Sequence, residues 1–164
     1  MNAGAYGGEI SHILESSTYV DADGVHTISA EEHEYGYRSS VYRHTPGRII
    51  TEAAFRLRKG DISVISETMN DLMNRRVSKQ PLEYPSAGSV FKRYPGRFTG
   101  QMIDEAGLKG YRIGGAQVSE KHAGFIINIG GATAEDVKNL VAHVKAVILE
   151  KFGCALECEI IFAE

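Results

Sequence analysis

Three stretches of this sequence hold polar side chains in settings that packing alone does not require. In E-Y-G-Y-R-S-S-V-Y-R-H, residues 34–44, Tyr35, Tyr37 and Tyr42 alternate with Arg38, Ser39, Ser40 and Arg43. A solvent-facing hairpin with aromatic packing would ask nothing more of them. A guanidinium flanked by aromatic rings can instead hold a carboxylate or phosphate with its planar fork of donors. In P-S-A-G-S-V-F-K-R-Y-P-G, residues 85–96, Gly88 and Ser89 put a small hydroxyl on a tight turn ahead of Val90 and Phe91. The pattern is not G-x-S-x-G, so it gives no nucleophile elbow, and a serine capping its own turn would account for it. Lys92, Arg93 and Arg97 make the stretch basic, which suits a phosphate-bearing ligand or a solvated loop. The third place is Glu159 in L-E-C-E-I-I-F, a charge among strand apolars that faces either solvent or a cleft.

The elements that must position these groups read as α+β. Residues 10–32 suggest two strands joined at Asp23-Gly24, a favoured hairpin pair because both central residues take positive φ. R-I-I-T-E-A-A-F-R-L-R, 48–58, alternates as a strand. Asp61 is a candidate N-cap for a helix over 62–76, where Ile62, Ile65, Met69, Leu72 and Met73 recur at helical spacing. A short strand is expected at Ser89–Lys92, and a short helix over 100–110 that stops at Gly107 or Gly110. Strands follow in Y-R-I-G-G-A-Q-V-S and G-F-I-I-N-I-G. Thr133-Ala-Glu-Asp136 resembles a capping box ahead of the stripe Val137, Leu140, Val141, Val144 and Ile148, with Gly153 closing the helix. C-A-L-E-C-E-I-I-F-A then returns as a strand, with a boundary between two parts expected near Lys59–Asp61.

Composition bounds the rest. A chain of 164 residues with 43% apolar and 24% charged side chains is one globular domain or two small ones, not a disordered chain. A net charge of −3 supplies no general attraction to nucleic acid or to an anionic membrane, and neither is expected as a partner. No apolar run approaches the ~20 residues that span a bilayer, and no basic segment with a hydrophobic stretch opens the chain as a secretory signal would. Cys154 and Cys158 are the only cysteines. On a strand they share a face as two small side chains, reduced in a cytoplasmic protein, and no metal is expected.

Taken in order, these stretches resemble a known family. N-A-G-A-Y-G-G-E-I (2–10), Y-G-Y-R-S-S-V-Y (35–42), Q-P-L-E-Y-P-S-A-G-S-V-F-K-R (80–93), L-K-G-Y-R-I-G-G-A-Q-V-S-E-K-H-A-G-F-I-I-N (108–128) and E-C-E-I-I (157–161) are similar to the UDP-N-acetylenolpyruvoylglucosamine reductases. The resemblance implies a cytoplasmic flavoenzyme that binds FAD, uses NADPH and reduces UDP-N-acetylglucosamine enolpyruvate to UDP-N-acetylmuramate for peptidoglycan. Negative charge then appears on the substrate carboxylate as an enediolate forms, and fixed donors aimed there are the expected remedy. Arg38 matches the arginine that neutralises that charge, and Ser89 the general acid that protonates the carbon. A serine hydroxyl is a poor acid at neutral pH, so its neighbours must make up the mismatch. Glu159 matches the acid of the last strand, although Ile160-Ile161 stands where the family often has Val-Arg. Lys79 matches a lysine on the substrate diphosphate, and Tyr37 and Arg93 are further substrate-binding candidates. Asn2, Ala3, Gly4, Ala5, Tyr6 and Gly7 match a loop whose backbone approaches the flavin, where a missing Cβ permits close contact.

About fifty residues separate Arg38 from Ser89, as in the subtype without an extra substrate-covering loop. The resemblance also implies longer relatives, in which an upstream segment carries the glycine-rich loop for the FAD diphosphate. Residues 1–58 are therefore expected to be the C-terminal part of a truncated FAD-binding domain, and 59–164 a substrate-binding domain. Met1 would then be an internal methionine serving as an apparent start, and the missing FAD-domain segment a partner. The alternative is a UDP-sugar-binding fragment that retains no flavin and turns over no NADPH.

Overall fold

The structure, a computed structural model, describes residues 1–163. It divides into two units, Met1–Leu72 and Met73–Glu164.

In the first unit, β1 (Gly4–Ala5) and β2 (Gly8–Glu9) form a small hairpin whose turn residues, Tyr6 and Gly7, take φ of 52° and 83°. Strands β3 (Leu14–Asp21) and β4 (Gly24–Ser29) pair antiparallel. The turn falls one residue earlier than the Asp-Gly pair implies. The Asp21 carboxylate accepts the Asp23 N–H at 3.0 Å, so Ala22 and Asp23 make the turn and Gly24 begins the returning strand. A single helical turn, α1 (Val41–His44), leads to β5 (Ile49–Phe55), which pairs with the other edge of β3 to give the order β4-β3-β5. Asp61 then caps α2 (Ile62–Lys79), its carboxylate accepting the N–H groups of Ser63 at 2.8 Å and Val64 at 3.3 Å. The helix forms where its spacing predicts and runs on to Lys79, but its apolar stripe is not covered. Ile62, Met69 and Met73 are 81%, 65% and 57% exposed.

The interior of this unit is mostly polar. Its buried apolar side chains are Leu14 and Tyr19, beside buried Asn2, Ser17, His33 and Ser40. At about 1.5–3 kcal/mol for each buried side chain, that apolar burial is small against a backbone entropy cost of roughly 1–2 kcal/mol per residue.

The second unit carries the apolar core. β6 (Ser86–Ser89), α3 (Thr99–Glu105), β7 (Arg112–Ile113), β8 (Ala116–Val118), β9 (Phe125–Asn128) and α4 (Ala134–Phe152) follow in order. The antiparallel sheet has the order β6-β9-β8-β7. Thr133 and Asp136 form the capping box, Gly153 closes α4 at φ 66°, and Leu140, Val141, Val144 and Ile148 are buried as the stripe predicts. The first strand lies earlier than expected, at Ser86–Ser89 rather than Ser89–Lys92. Residues 154–163 do not form the expected regular strand. Among the described residues their backbone pairs at the isolated Phe91–Cys158 bridge, just beyond β6, flanked by Lys92 N–H to Glu157 O and Glu159 N–H to Val90 O. The Thr99 hydroxyl explains the short pairing. It donates to Lys92 O at 2.8 Å and accepts the Tyr94 N–H at 3.1 Å, turning the chain away after Lys92. Cys154 is buried and Cys158 partly so, both as thiols. Among the described residues no helix is long and apolar enough to cross a membrane.

Candidate functional site

Ser89 ends β6 opposite Phe125 of β9. The next residue, Val90, is held on both sides, its N–H donating to Gly124 O at 2.9 Å and its carbonyl accepting the Glu159 N–H at 2.8 Å. That double pairing draws Ser89, the 122–125 turn and Glu159 to one end of the sheet. The Ser89 side chain is lightly held, since among the described residues its Oγ reaches only Phe91 O, at 3.5 Å. Arg93 lies in the loop beyond, its guanidinium 4.3 Å from the centre of the Phe98 ring. Lys79 is the exposed last residue of α2. A cavity of about 300 Å³ opens shortly after it in the chain, lined by Pro81, Glu83, Tyr84, Gln117, Ser119 and Lys121 among others.

His122 was not singled out by its residue type, yet the fold builds around it. The buried Ser119 hydroxyl accepts the N–H groups of Lys121 and His122 at 3.2 and 3.3 Å and fixes the turn. His122 Nδ1 accepts the Gly124 N–H at 3.1 Å, so the neutral ring carries its proton on Nε2. Burial, with a smaller contribution from the charge of Lys109, lowers its pKa below the ordinary 6.5. Below about 6.5 the unfolded chain therefore binds more protons at this residue than the folded one. This contribution to stability is complete above that pH and is lost as pH falls through the lowered value. Urea midpoints from pH 8 to pH 5 should fall less steeply for His122→Asn than for the natural chain; parallel curves would refute the linkage.

Arg38 belongs to the first unit. Gly36 and Ser39 exchange both backbone hydrogen bonds, at 3.3 and 3.2 Å, which puts Tyr37 and Arg38 at the tip of a tight turn. Arg38 sits there at φ 55°, a left-handed conformation that costs a non-glycine residue roughly 1–2 kcal/mol. Its guanidinium lies 5.6 Å from the centre of the exposed Tyr37 ring. A polar chain that the sequence does not announce links His33 and Tyr42, on either side of the turn in sequence. His33 Nδ1 donates to Ser29 O at 2.6 Å because a carbonyl can only accept. Its Nε2 then accepts from the Ser17 hydroxyl at 2.7 Å, and Ser17 accepts from Tyr42 at 2.6 Å. Tyr35 stacks on the His33 ring, and burial, then the neighbouring Tyr42, pushes its phenol pKa up.

At the start of the chain the flavin-loop candidates divide into two groups. The Asn2 side chain is buried, donating to Glu9 at 2.7 Å and accepting the Ser11 N–H at 3.1 Å. The Cβ position of Gly4 lies 2.9 Å from Glu9 Cγ, so its bare backbone serves the hairpin itself. Ala3 belongs to that base too, its carbonyl accepting the Ile10 N–H at 3.0 Å. Ala5, Tyr6 and Gly7 form the exposed tip, and nothing lies within 4 Å of the Cβ position of Gly7. Open backbone of this kind fits the approach of a flat ring.

The chain as a whole is thus α+β, with a serine and a glutamate brought to one end of an antiparallel sheet. The family model for the C-terminal domain of UDP-N-acetylenolpyruvoylglucosamine reductase matches residues 80–163. Curated reductases of that name from Clostridium perfringens and Streptococcus thermophilus are 50% and 53% identical over 161 residues, 98% of this chain and 53% of theirs. The crystal structure of the Thermus caldophilus enzyme superposes with a TM-score of 0.84 at 36% identity, over 97% of this chain and 56% of that one. The chain belongs to the UDP-N-acetylenolpyruvoylglucosamine reductase family. It spans about half the length of the curated relatives it matches.

Proposed function

We propose that this chain forms part of an FAD-dependent, NADPH-using oxidoreductase that makes UDP-N-acetylmuramate from UDP-N-acetylglucosamine enolpyruvate, a cytoplasmic step of peptidoglycan synthesis. The observation that carries the reading is the convergence of Ser89 and Glu159 through Val90, in a family named for this reductase. The chemistry that bound FAD would supply is hydride transfer, with NADPH as the reductant. The chain's own residues handle charge and a proton. Arg38 neutralises the carboxylate as an enediolate develops, a task for a fixed fork of donors. Ser89 gives the proton to the adjacent carbon, and Glu159 holds the carboxylate end or assists that delivery. Lys79 and Arg93 take the diphosphate, and Tyr37 is a further substrate-binding residue. The exposed tip Ala5–Gly7 would hold the flavin, on the hairpin that Asn2, Ala3 and Gly4 build.

A second reading has its own support. The polar interior of the first unit and the bare stripe of α2 fit a part-domain completed by a further segment, the FAD-domain portion of the longer relatives. Without that segment the chain would bind the UDP-sugar and perform no redox chemistry. Titration calorimetry with UDP-N-acetylglucosamine enolpyruvate, paired with NADPH oxidation in the presence of added FAD, separates the two. Binding with turnover supports the reductase within this chain; binding without turnover supports the incomplete form. Absence of both would overturn the UDP-sugar reading.

A further inference from the structure

The loop that carries Tyr37 and Arg38, residues 34–41, is held at both ends by one hydroxyl. Ser17 lies in the middle strand of its sheet, opposite Ile28 of β4 and Ala53 of β5, so its backbone is fixed from both sides. Its buried Oγ donates to His33 Nε2 at 2.7 Å, just before the loop, and accepts from the Tyr42 hydroxyl at 2.6 Å, just after it. His33 is pinned in turn through Nδ1 to Ser29 O, and its ring stacks on Tyr35 with centroids 5.1 Å apart and planes 14° from parallel. The Tyr42 ring meets His33 and Tyr19 edge-on, each at 5.6 Å. Burying a hydroxyl and an imidazole here costs desolvation that only full pairing recovers. What the pairing adds is direction. Apolar contacts hold a loop down and let it slide, whereas linked hydrogen bonds admit one arrangement.

We propose that Ser17, His33 and Tyr42 are positioning residues for Arg38, a two-footed clamp that fixes the direction of its guanidinium toward the carboxylate of the bound ligand. The inference rests on the reading of Arg38 as the cation at that carboxylate. The reciprocal Gly36–Ser39 bonds shape the turn but do not orient it, and its orientation comes from the two feet. A trio kept only for the fold would stabilise the first unit and leave ligand discrimination alone.

Two probes are titrated into the full chain by calorimetry, at a temperature where circular dichroism shows each variant folded. UDP-N-acetylmuramate carries a carboxylate and UDP-N-acetylglucosamine lacks one, so the ratio of their affinities reads the carboxylate contact. Ser17→Ala cuts both feet and should lower that ratio roughly tenfold, about the worth of one hydrogen bond to a charged group. Tyr42→Phe cuts one foot and keeps the ring. It should lower the ratio by less, and it guards against a folding defect in Ser17→Ala. In an Arg38→Gly background neither change should alter the ratio further, because both act through the guanidinium. An unchanged ratio in both variants, or a fall that persists in Arg38→Gly, would overturn the clamp and leave the Arg38 reading standing. If Arg38→Gly alone keeps the natural ratio, or the natural chain binds neither probe, the Arg38 reading falls and the clamp with it.

Discussion

Gly115→Ala is expected to destabilise the second unit by more than about 3 kcal/mol, above the usual range for an overpacked side chain. Gly114 and Gly115 turn the β7–β8 hairpin, and that turn lies against the loop leading into α4. A Cβ on Gly115 would meet Ala132 N and Gly130 O, each at 2.4 Å. Both are backbone atoms, so no rotamer change can make room. Yielding would also break a connected set of bonds. Asp136 accepts the Thr133 N–H at 2.9 Å and the Gly115 N–H at 3.4 Å, and these contacts, Thr133 first, hold its carboxyl below the ordinary carboxylate range. The control is Gly107→Ala. Gly107 sits at φ 77° with nothing within 4 Å of its Cβ position, so the cost there is backbone strain alone, roughly 1–2 kcal/mol. Urea unfolding followed by circular dichroism, where α4 gives a strong signal, measures both. Equal costs at the two sites would show that the close approach at Gly115 relaxes.

Much of the second unit was legible because its sequence signals are local. The Thr133 capping box, the stripe ending at Ile148 and Gly153 each act within a turn or two of themselves, and the fold obeys all three. Residues 154–163 read as a strand because their composition is that of one. Whether they pair depends on Thr99, a distant residue whose hydroxyl turns the partner segment away. The Asp-Gly pair announces the hairpin, but the turn falls one residue earlier because the Asp21 side chain competes for the turn N–H. The apolar pattern of α2, which begins in the first unit and ends in the second, is real, yet burial depends on what covers it, and periodicity carries no information about that. Among site residues, Arg38, Ser89 and Glu159 stand out as polar groups in apolar or aromatic settings. His122 and His33 do not. Each is defined by contacts that its own sequence neighbourhood only partly supplies: His122 by the absence of Cβ atoms at Gly100 and Gly124, His33 by Ser17 and Tyr42.

Replacing Arg38 should separate stability from function. Left-handed backbone at a non-glycine residue persists where surrounding structure enforces it, and such positions concentrate at functional sites. Here the reciprocal Gly36–Ser39 bonds impose the turn, and the stack of Tyr35 on His33 lies just before it. Glycine would take the same turn without that strain. Arg38→Gly relieves roughly 1–2 kcal/mol of strain, against about 0.5–1 kcal/mol of extra chain entropy in the unfolded state. Its stability should stay within about 1 kcal/mol of the natural chain. Under the proposed reaction the same change removes the cation aimed at the developing enediolate, and reduction of UDP-N-acetylglucosamine enolpyruvate should slow by roughly 10²–10³-fold in the flavin-loaded enzyme. Arg38→Lys should recover little of that loss, because a point charge on a flexible stem does not reproduce a planar fork. Reduction of the flavin by NADPH should be nearly untouched in both variants, since the substrate carboxylate takes no part in it. If Arg38→Gly instead unfolds the first unit, or both half-reactions fall together, the strained arginine is a structural residue and the charge-neutralising role passes to another cation.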